Sequence, residues 1–318
     1  MTTDLSQRVR LVVFGGGAVG SVLAAALAAK PGTDLTLIGR REHVRAMAEH
    51  GLRVNGLRDE PVFLPAREKI DFALDDTLLI VTVKAVDLEA GLSRLAPFLR
   101  PTTALLLLQN GYGIKELAQR VLRGLPVPAE HIFIGILALG ATFIGPGEVN
   151  FFGGGIRVEP AFAESPFAEA LCGSPLKVEK SKDIRRDLWT KLLVNAVVNP
   201  LSVLLQAKNR VVAEERFDAL KEAILAEGLR VAAAEGICLT MDAAFVNRFV
   251  SSDNITSMLQ DFRRGRPSEI DFINGAIVKV GKTHRLKTPV NAFLVDVIKA
   301  LESRRRDVLA QDSASTDV

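Results

Sequence analysis

The fold is decided near the N-terminus by Leu11-Val-Val-Phe-Gly-Gly-Gly-Ala-Val-Gly20, where an apolar run leads directly into glycines. The run Val9 to Phe14 predicts a short buried strand, and the alanine-rich stretch Val19 to Lys30 predicts a helix that Pro31-Gly32 ends. Between them, three glycines have the spacing of a dinucleotide-binding turn. The first permits a tight turn, the second lets backbone approach a pyrophosphate, and the third lets helix pack on strand, while the helix N-terminus favours an anion. We therefore expect cofactor contacts from these residues: Gly15, Gly16, Gly17, Ala18, Val19 and Gly20.

The end of the second predicted strand, Asp34 to Ile38, indicates which dinucleotide binds. An acidic residue there would bond the adenosine ribose, whereas an arginine would accept a 2′-phosphate. This chain has Gly39-Arg40-Arg41, and the planar fork of Arg40 suits a phosphate, with Arg41 as a helper. The alternative is that both arginines are ordinary solvated residues at the start of a helix over Glu42 to Glu49. The missing acid favours NADPH.

Two further buried strands each end in a polar residue. Leu78 to Val83 is followed by Lys84, and Ala104 to Leu108 is followed by Gln109-Asn110. Because open parallel sheets bind ligands at the carboxyl ends of their strands, we expect Lys84 and Asn110 to overlook one crevice. Turn chemistry is the alternative, since Asn-Gly is a common turn pair.

The pattern then changes twice along the chain. Ile132 to Val178 has short β-like runs with glycines, and helical periodicity begins after Ser181. We therefore predict an α/β fold with an N-terminal Rossmann-type dinucleotide-binding domain, residues 1–180, followed by an all-helical C-terminal domain, residues 181–318. Six helices are expected there: Arg186 to Gln206, Ala213 to Ala234, Ala243 to Val250, Ile255 to Arg264, Glu269 to Val280 and Asn291 to Glu302. The charged and Ser/Asp-rich tail after Ser303 is expected to fray.

Composition restricts the classes of partner. With 40 basic and 37 acidic residues, the formal charge of +3 is too balanced for a nucleic-acid or membrane-surface protein. Two distant cysteines and four scattered histidines predict neither a disulfide nor a metal site. The uncharged run Leu11 to Ala29 resembles a signal peptide, but its glycines fit the strand and turn better. No other uncharged segment is long enough to span a bilayer, so we expect a cytoplasmic protein with a small-molecule partner, and a homodimer is left open.

A polar line crosses an otherwise apolar helix in the second half. Lys191, Asn195 and Asn199 follow one another at intervals of four, so they stack on one helical face. Pro200 removes a backbone donor directly after the line, which predicts a kink and free carbonyls nearby. A lysine beside two carboxamides could hold an oxygen-rich substrate next to a proton source. Alternatively, Lys191 extends its charge from a core helix and the asparagines bond local backbone.

A later segment, Asn254 to Gly275, carries more polar groups than helix packing needs. Asn254 and Ser257 can face one way on a helix, because they are three residues apart. Pro267 is a suitable first helical residue, which would put Glu269 in a first turn where the helix dipole favours a carboxylate. The spacing alone allows a structural cap or a functional role for Glu269.

Six motifs in order make residues 8 to 300 resemble the ketopantoate reductase (2-dehydropantoate 2-reductase) family. The motifs are Gly-x-Gly-x-x-Gly, Thr-Val-Lys-Ala, Gln-Asn-Gly-x-Gly, Gly-Pro-Gly, Lys-Leu-x-x-Asn-x-x-x-Asn-Pro-Leu and Ser-Met-Leu-Gln-Asp-x-x-x-Gly-Arg-x-x-Glu-Ile-Asp. The resemblance implies NADPH-dependent reduction of 2-dehydropantoate to (R)-pantoate in pantothenate and coenzyme A biosynthesis, with the site between a Rossmann and a helical domain. It implies Lys191 as the catalytic acid and Glu269 as its partner, both of them also substrate contacts. The remaining implied contacts are Asn110, Asn195, Asn199, Asn254 and Ser257 for substrate, and Arg40, Lys84 and Asn110 for NADPH.

The chain departs from the family pattern at Asn209-Arg210, at His284 to Pro289 and near Val149 to Phe151, where many members have a histidine. These departures leave the chemical residues in place but affect the substrate assignment. A reductase of another branched 2-oxo acid is therefore the first alternative. An NADPH-binding sensor without turnover is the second, and the joint presence of Lys191 and Glu269 argues against it.

Overall fold

The computed structural model describes residues 9–30, 32–250 and 253–316. The chain divides into two compact units, which are described separately below. Unit 1 runs to Gln109 and resumes over Ile114–Ile184, and unit 2 combines Asn110–Gly113 with the residues from Arg185 onward. The short segment Asn110–Gly113 therefore belongs with residues that lie more than seventy positions later in the sequence.

Unit 1 is a nine-stranded sheet with helices. The strands are β1 (Arg10–Phe14), β2 (Leu35–Ile38), β3 (Arg53–Asn55), β4 (Ala66–Arg67), β5 (Thr77–Val81), β6 (Ala104–Leu107), β7 (Ile132–Gly145), β8 (Glu148–Val158) and β9 (Lys177–Lys180). The helices are α1 (Ala18–Ala28), α2 (Arg41–His50), α3 (Ala85–Leu95), α4 (Ile114–Val121) and α5 (Pro160–Ala163). Short 3-10 helices cover Ala96–Phe98, Ala129–His131 and Ala168–Leu171.

The strand order places the loops that follow β1 and β5 at the same edge of the sheet. The strands run β3-β8-β7-β6-β5-β1-β2-β4, and β9 pairs with β8. β1 lies parallel to both β2 and β5, with Phe14 beside Ile38 on one side and Val81 on the other. The chain order reverses around β1, and the carboxyl ends of β1 and β5 are therefore the edge where doubly wound sheets bind ligands. The buried residues of these strands are almost wholly apolar, as sheets covered on both faces require.

The region Ile132 to Val178 differs from the short runs predicted for it. β7 and β8 are long, with 14 and 11 residues, and they form an antiparallel pair joined at Pro146-Gly147. The pairing register shifts at two places in β7. Glycines near such irregularities interrupt the sequence pattern of a strand without ending its pairing, which explains why the pattern suggests shorter elements.

Unit 2 contains helices and connecting loops, and no strand occurs among its described residues. Its helices are α6 (Ile184–Leu205), α7 (Asn209–Val212), α8 (Asp218–Ala234), α9 (Ala243–Val250), α10 (Ser257–Arg263), α11 (Asn274–Thr283) and α12 (Pro289–Thr316). Short 3-10 helices cover Glu215–Phe217 and Ile270–Phe272. The predicted fold class, an α/β Rossmann-type unit followed by an all-helical unit, is confirmed. A continuous helix over Ala213 to Ala234 is wrong, because α8 begins only at Asp218.

The prediction of one helix starting at Pro267 is also wrong. Glu269 stands in a bend, and the short 3-10 helix that follows ends at Phe272, one residue before α11 begins at Asn274. The Ser268 hydroxyl accepts a bond from the Ile270 amide, and the Ser268 amide donates to the Glu302 carboxylate. Such side-chain bonds satisfy the backbone without a helical turn.

The tail after Ser303 does not fray where the structure describes it, because α12 continues to Thr316. Two contacts with the end of α10 accompany this extension. Arg305 donates to the carbonyl of Arg263, and the Leu309 side chain lies so close to Gly265 that a Cβ there would be 2.5 Å from it. Tertiary contacts therefore extend a helix whose local composition suggested disorder.

Among the described helices, α6 alone has the length and apolar composition that crossing a membrane requires. Two thirds of its apolar window is buried inside the protein, which is the pattern of a core helix. Trp189, Leu193 and Val197 on α6 are almost fully buried in the apolar core of unit 2. One face of α6 packs in this core, and this packing fixes the direction in which the polar residues of the helix point.

Candidate active site

The glycine-rich turn in unit 1 has the geometry that the sequence predicts. Gly15 has φ +125°, and a Cβ on it would lie 2.5 Å from the Val83 nitrogen. A Cβ on Gly20 would lie 2.1 Å from the Gly15 carbonyl oxygen. The Gly15 and Gly16 amides both donate to the carbonyl of Ile38, which fixes the turn to the end of β2. A side chain at Gly15 or Gly20 would clash with the surrounding backbone, so the packing of the protein itself requires glycine at both positions.

Gly17 is different, because nothing in the described protein lies within 4 Å of a Cβ built on it. It is exposed and directly precedes the first residue of α1, Ala18. Packing gives no reason for a glycine there, whereas close approach of a phosphate to the backbone does. The residues of this turn thus fit a dinucleotide.

Arg40 and Arg41 lie at the end of β2, as the sequence indicates. Arg40 is the N-cap residue of α2, both side chains are exposed, and neither has a side-chain partner among the residues that the structure describes. The sequence reasoning missed Arg67, which pairs with Ile38 in the sheet and whose carbonyl accepts from Gly39. Arg67 is the last residue of a strand of only two residues, which is too short to leave a sequence pattern, and its guanidinium bonds Asp71 at 2.9 Å.

Lys84 caps the start of α3 and is half-buried. The preceding strand end is fixed by Gln109, whose amide nitrogen donates to the carbonyls of Val81 and Val83 at 2.9 and 3.0 Å. Lys84 belongs to unit 1 and Asn110 to unit 2. Their meeting in one crevice therefore stays a prediction.

His43 packs against the glycine turn beside Gly16. Its Nδ1 accepts from the Gly147 amide at 2.9 Å, and its Nε2 lies 3.0 Å from the Ser21 hydroxyl. Burial lowers the pKa of His43, and Nδ1 must be deprotonated to accept, so the ring is neutral. The imidazole thus joins α1, α2 and the β7–β8 turn, a role that four scattered histidines did not suggest.

In unit 2, the structure brings together Lys191, Glu269 and Asn110. Lys191 lies on α6 and is half-buried, and Glu269 is 7% exposed. Burial lowers the pKa of Lys191 from 10.5 to about 8, and the negative charge of Glu269 opposes that change. The Asn110 amide donates to the Glu269 carboxylate at 3.1 Å. An ammonium that deprotonates near neutrality is suited to donate a proton at physiological pH.

The segment Asn110–Gly113 is fixed beside Glu269 by its backbone. The Tyr112 amide donates to the Phe272 carbonyl at 2.9 Å, and a Cβ on Gly111, which has φ +103°, would lie 2.5 Å from the same oxygen. The Tyr112 ring packs on Trp189 with centroids 4.9 Å apart. Trp189 precedes Lys191 by two residues on α6, so the same segment contacts Glu269 and the part of α6 that carries Lys191.

The other predicted substrate residues keep their polar groups unused. Asn199 is only 5% exposed, Asn195 and Asn254 are half-buried, and Ser257 is exposed. None of the four side chains has a hydrogen-bond partner among residues 9–30, 32–250 and 253–316. The asparagines on α6 therefore do not bond local backbone, which was the alternative explanation. Amides in this state can take hydrogen bonds from a ligand.

Two hydroxyls that sequence reasoning missed connect this face of α6 to α10. Ser202 donates to the Asn199 carbonyl at 2.7 Å and lies 2.5 Å from the Thr256 hydroxyl. Thr256 caps α10 by accepting from the Leu259 amide, and it directly precedes Ser257. The turn that carries Asn199 is thus linked to the helix start that carries Ser257. Small hydroxyls are so common that no spacing distinguishes this pair in the sequence.

The departures from the family pattern form contacts close to these residues. Arg210 pairs with Asp253 at 3.1 Å, and the Asn254 carbonyl accepts from the Asn209 amide. His284 bonds Glu235, whose second oxygen lies 3.4 Å from the Tyr112 hydroxyl. The altered residues at Asn209-Arg210 and at His284 therefore adjoin segments of the candidate site without replacing its polar groups.

Comparison with known proteins shows the family to which the chain belongs. Residues 11–161 match the family described as Ketopantoate reductase PanE/ApbA, and residues 183–302 match the family described as Ketopantoate reductase PanE/ApbA C terminal. A 2-dehydropantoate 2-reductase of Pyrococcus horikoshii is 32% identical over 304 residues, covering 92% of this chain and 98% of the relative. The chain belongs to the ketopantoate reductase family. The predicted resemblance is thereby confirmed.

Solved structures of the same fold include two with different names. A PanE/ApbA family ketopantoate reductase from Ralstonia eutropha is 28% identical with a TM-score of 0.81, covering 93% of this chain and 99% of that one. A ternary structure of D-mandelate dehydrogenase with NADH and anilino(oxo)acetate is 30% identical with a TM-score of 0.82, at the same coverage. The chain is therefore similar in fold to a ketopantoate reductase and to a D-mandelate dehydrogenase, so the fold alone does not identify the substrate.

Proposed function

We propose that this ketopantoate reductase family member reduces 2-dehydropantoate to (R)-pantoate with NADPH, as a cytoplasmic enzyme of pantothenate and coenzyme A biosynthesis. The observation that carries the proposal is the half-buried Lys191, whose pKa of about 8 is set by burial against the charge of Glu269. The curated relatives named 2-dehydropantoate 2-reductase, which this chain matches over 92% of its length, support the substrate class. The expected homodimer stays a prediction.

Lys191 acts as the general acid. As hydride adds to the keto carbon, negative charge develops on the carbonyl oxygen, and the Lys191 ammonium stabilises that charge and donates a proton to it. The product is a 2-hydroxy acid, and the amine returns to its charged form by taking a proton from water. The charge of Glu269 keeps a useful fraction of Lys191 protonated at neutral pH despite burial.

Glu269 is a positioned partner rather than a second acid. Its carboxylate accepts from Asn110, which fixes one oxygen, and the carboxylate would orient Lys191 or bind a substrate hydroxyl. Asn195, Asn199, Asn254 and Ser257 supply amide and hydroxyl groups for the carboxylate and hydroxyl of the substrate. Orientation of the keto group by these bonds lowers the entropy that must be lost in the transition state.

NADPH, which supplies the hydride when bound, would be held by the turn Gly15 to Gly20, by Arg40 and by Lys84. The open backbone at Gly17 leaves room for the pyrophosphate, and Arg40 offers a fork for the 2′-phosphate. The binding of a nicotinamide dinucleotide is supported by the NADH-bound D-mandelate dehydrogenase. The choice of NADPH over NADH rests on Arg40.

The pH profile of the reduction follows from the pKa of Lys191. Because the protonated form is the acid, kcat/KM is expected to be constant below about pH 8 and to fall about tenfold per pH unit well above it. Initial rates with saturating NADPH across roughly pH 6 to 10 measure this limb. A constant kcat/KM over that whole range would show that Lys191 does not donate the proton.

Asn199→Ala is expected to raise KM for the 2-oxo acid about tenfold, the effect of losing one hydrogen bond to a charged group, with little change in melting temperature. The reason is that the Asn199 side chain has no bond within the described protein that folding would lose. Ser202→Ala is the matched control, since its hydroxyl bonds Asn199 and Thr256 and should matter more for melting. If Asn199→Ala lowered the melting temperature as clearly as it lowered activity, Asn199 would be a structural residue.

A reductase of another 2-oxo acid is the second candidate, and the similarity to D-mandelate dehydrogenase favours an aromatic one. The experiment mixes the wild-type protein and NADPH with ketopantoate, phenylglyoxylate or pyruvate and follows the loss of nicotinamide absorbance. Highest kcat/KM with ketopantoate supports the proposal, and highest kcat/KM with phenylglyoxylate supports the second candidate. NADPH binding without turnover on any of the three would leave the sensor interpretation.

A further inference from the structure

The helix that carries Lys191 has a missing backbone bond. α6 continues through Pro200, which has no N–H to donate to the carbonyl four residues earlier. That carbonyl belongs to Ala196, which is fully buried and cannot be satisfied by solvent. A buried carbonyl requires a donor from elsewhere in the protein.

The missing donor is the side chain of Asn274, the first residue of α11. Its Nδ2 lies 2.9 Å from the Ala196 oxygen and 3.0 Å from Oδ1 of Asn291, and both asparagines are fully buried. The Ala196 oxygen can only accept, so the NH₂ group of Asn274 must point towards it. Both amide hydrogens of Asn274 are therefore used.

Asn291 is itself held in one orientation. Its Nδ2 donates to the Glu227 carboxylate at 2.8 Å, and its backbone amide donates to the same oxygen at 2.9 Å. The other oxygen of Glu227 accepts from the Val290 amide. Glu227 thus occupies the N-terminus of α12, where a carboxylate is favoured, and turns the oxygen of Asn291 towards Asn274. A buried chain of hydrogen bonds joins α8, α12, α11 and α6.

The two ends of the Asn274 bond lie at equal distances along the chain from the candidate catalytic pair. Ala196 follows Lys191 by five residues on the same helix, and Asn274 follows Glu269 by five residues, across one short 3-10 helix. An alanine at position 200 would give Ala196 a helical donor without any tertiary contact. The combination of Pro200 and Asn274 instead replaces a local bond with one that joins the segments bearing the acid and its partner.

We propose that Asn274 is a positioning residue for the reduction, because its amide fixes the Lys191 segment of α6 against the Glu269 segment. This inference rests on the proposed function. Without the bond, Glu269 can move relative to Lys191, so proton donation becomes less well aligned and the charge that raises the pKa of Lys191 is weakened.

The test uses Asn274→Leu, Pro200→Ala and the double variant in the full-length protein. Asn274→Leu is expected to lower kcat about tenfold, which corresponds to about 1.4 kcal/mol in the barrier, and to move the alkaline limb of kcat/KM to lower pH. It should also lower the melting temperature, since Ala196 loses its donor. Pro200→Ala is the reference background, because residue 200 then donates to Ala196 within the helix.

The double variant separates positioning from stability. A positioning role predicts that its melting temperature recovers towards that of Pro200→Ala, while kcat and the pH limb remain altered. Recovery of kcat and the pH limb together with the melting temperature would make Asn274 structural and overturn the proposal. The proposal would also be overturned if Asn274→Leu kept the wild-type kcat and the wild-type alkaline limb of kcat/KM. If wild-type protein turns over no 2-oxo acid, the proposed function and this inference both fail, whereas turnover that is insensitive to Asn274 overturns only the inference.

Discussion

Lys191→Ala is expected to lower kcat for the 2-oxo acid by about 10² to 10⁴, the range for removing a positioned general acid. The developing oxyanion would lose both its proton source and the stabilising positive charge of Lys191. NADPH affinity should stay within about twofold of the wild type, because the glycine turn and Arg40 lie in unit 1. Steady-state kinetics give kcat, and fluorescence titration of NADPH gives the dissociation constant.

Two variants define the specificity of this result. Lys279→Ala removes an exposed lysine from the same unit and should leave both constants unchanged. Lys191→Arg keeps a positive charge whose proton is held too tightly to be donated, so its kcat should also fall. If Lys191→Ala retains more than about a tenth of the wild-type kcat, Lys191 is not the acid. Loss of NADPH binding together with turnover would contradict the expectation that unit 1 supplies most of the NADPH contacts.

The first unit could be predicted because its constraints are local in sequence. A strand, a turn and a helix follow one another within twenty residues, and steric exclusion at Gly15 and Gly20 leaves glycine as the residue that fits. The pairing of β7 with β8 was harder, since bulges break the alternation by which a strand is recognised.

The candidate site could be predicted only in part. The spacing of Lys191, Asn195 and Asn199 is a property of one helix, so periodicity alone placed them on one face. The bond from Asn110 to Glu269 spans 159 residues, and no local pattern encodes it. The grouping of Glu269 with Lys191 came from family resemblance for the same reason.

The Ala196 carbonyl, which Pro200 leaves without a helical donor, shows what the sequence can predict and what it cannot. Chemistry along the helix predicts that a carbonyl four residues before a proline lacks its donor. It does not predict which residue replaces that donor, because Asn274 is 78 positions away and lies after a break at Ile273. The same break made the sequence interpretation of Glu269 as a first-turn helical residue wrong.

Arg40→Asp is expected to erode the preference for NADPH over NADH by some tens to hundreds of times in kcat/KM, or about 2 to 3 kcal/mol. The wild-type arginine would bond the 2′-phosphate, whereas the aspartate would repel it and could accept from the ribose hydroxyl of NADH. The position suits either residue, because it caps α2 in an extended conformation with an exposed side chain. NADPH should therefore lose affinity, and NADH should gain or keep it.

Arg58→Asp supplies the control for this substitution, since it makes the same charge change at an exposed residue of unit 1 outside the turn. If long-range repulsion caused the loss, Arg58→Asp would weaken NADPH binding as well, and salt would reduce the effect in both variants. A local role for Arg40 predicts that only Arg40→Asp changes the ratio of kcat/KM for the two cofactors. Wild-type discrimination in Arg40→Asp would exclude Arg40 as the selector and direct attention to Arg41 and Arg67, which flank the same end of β2.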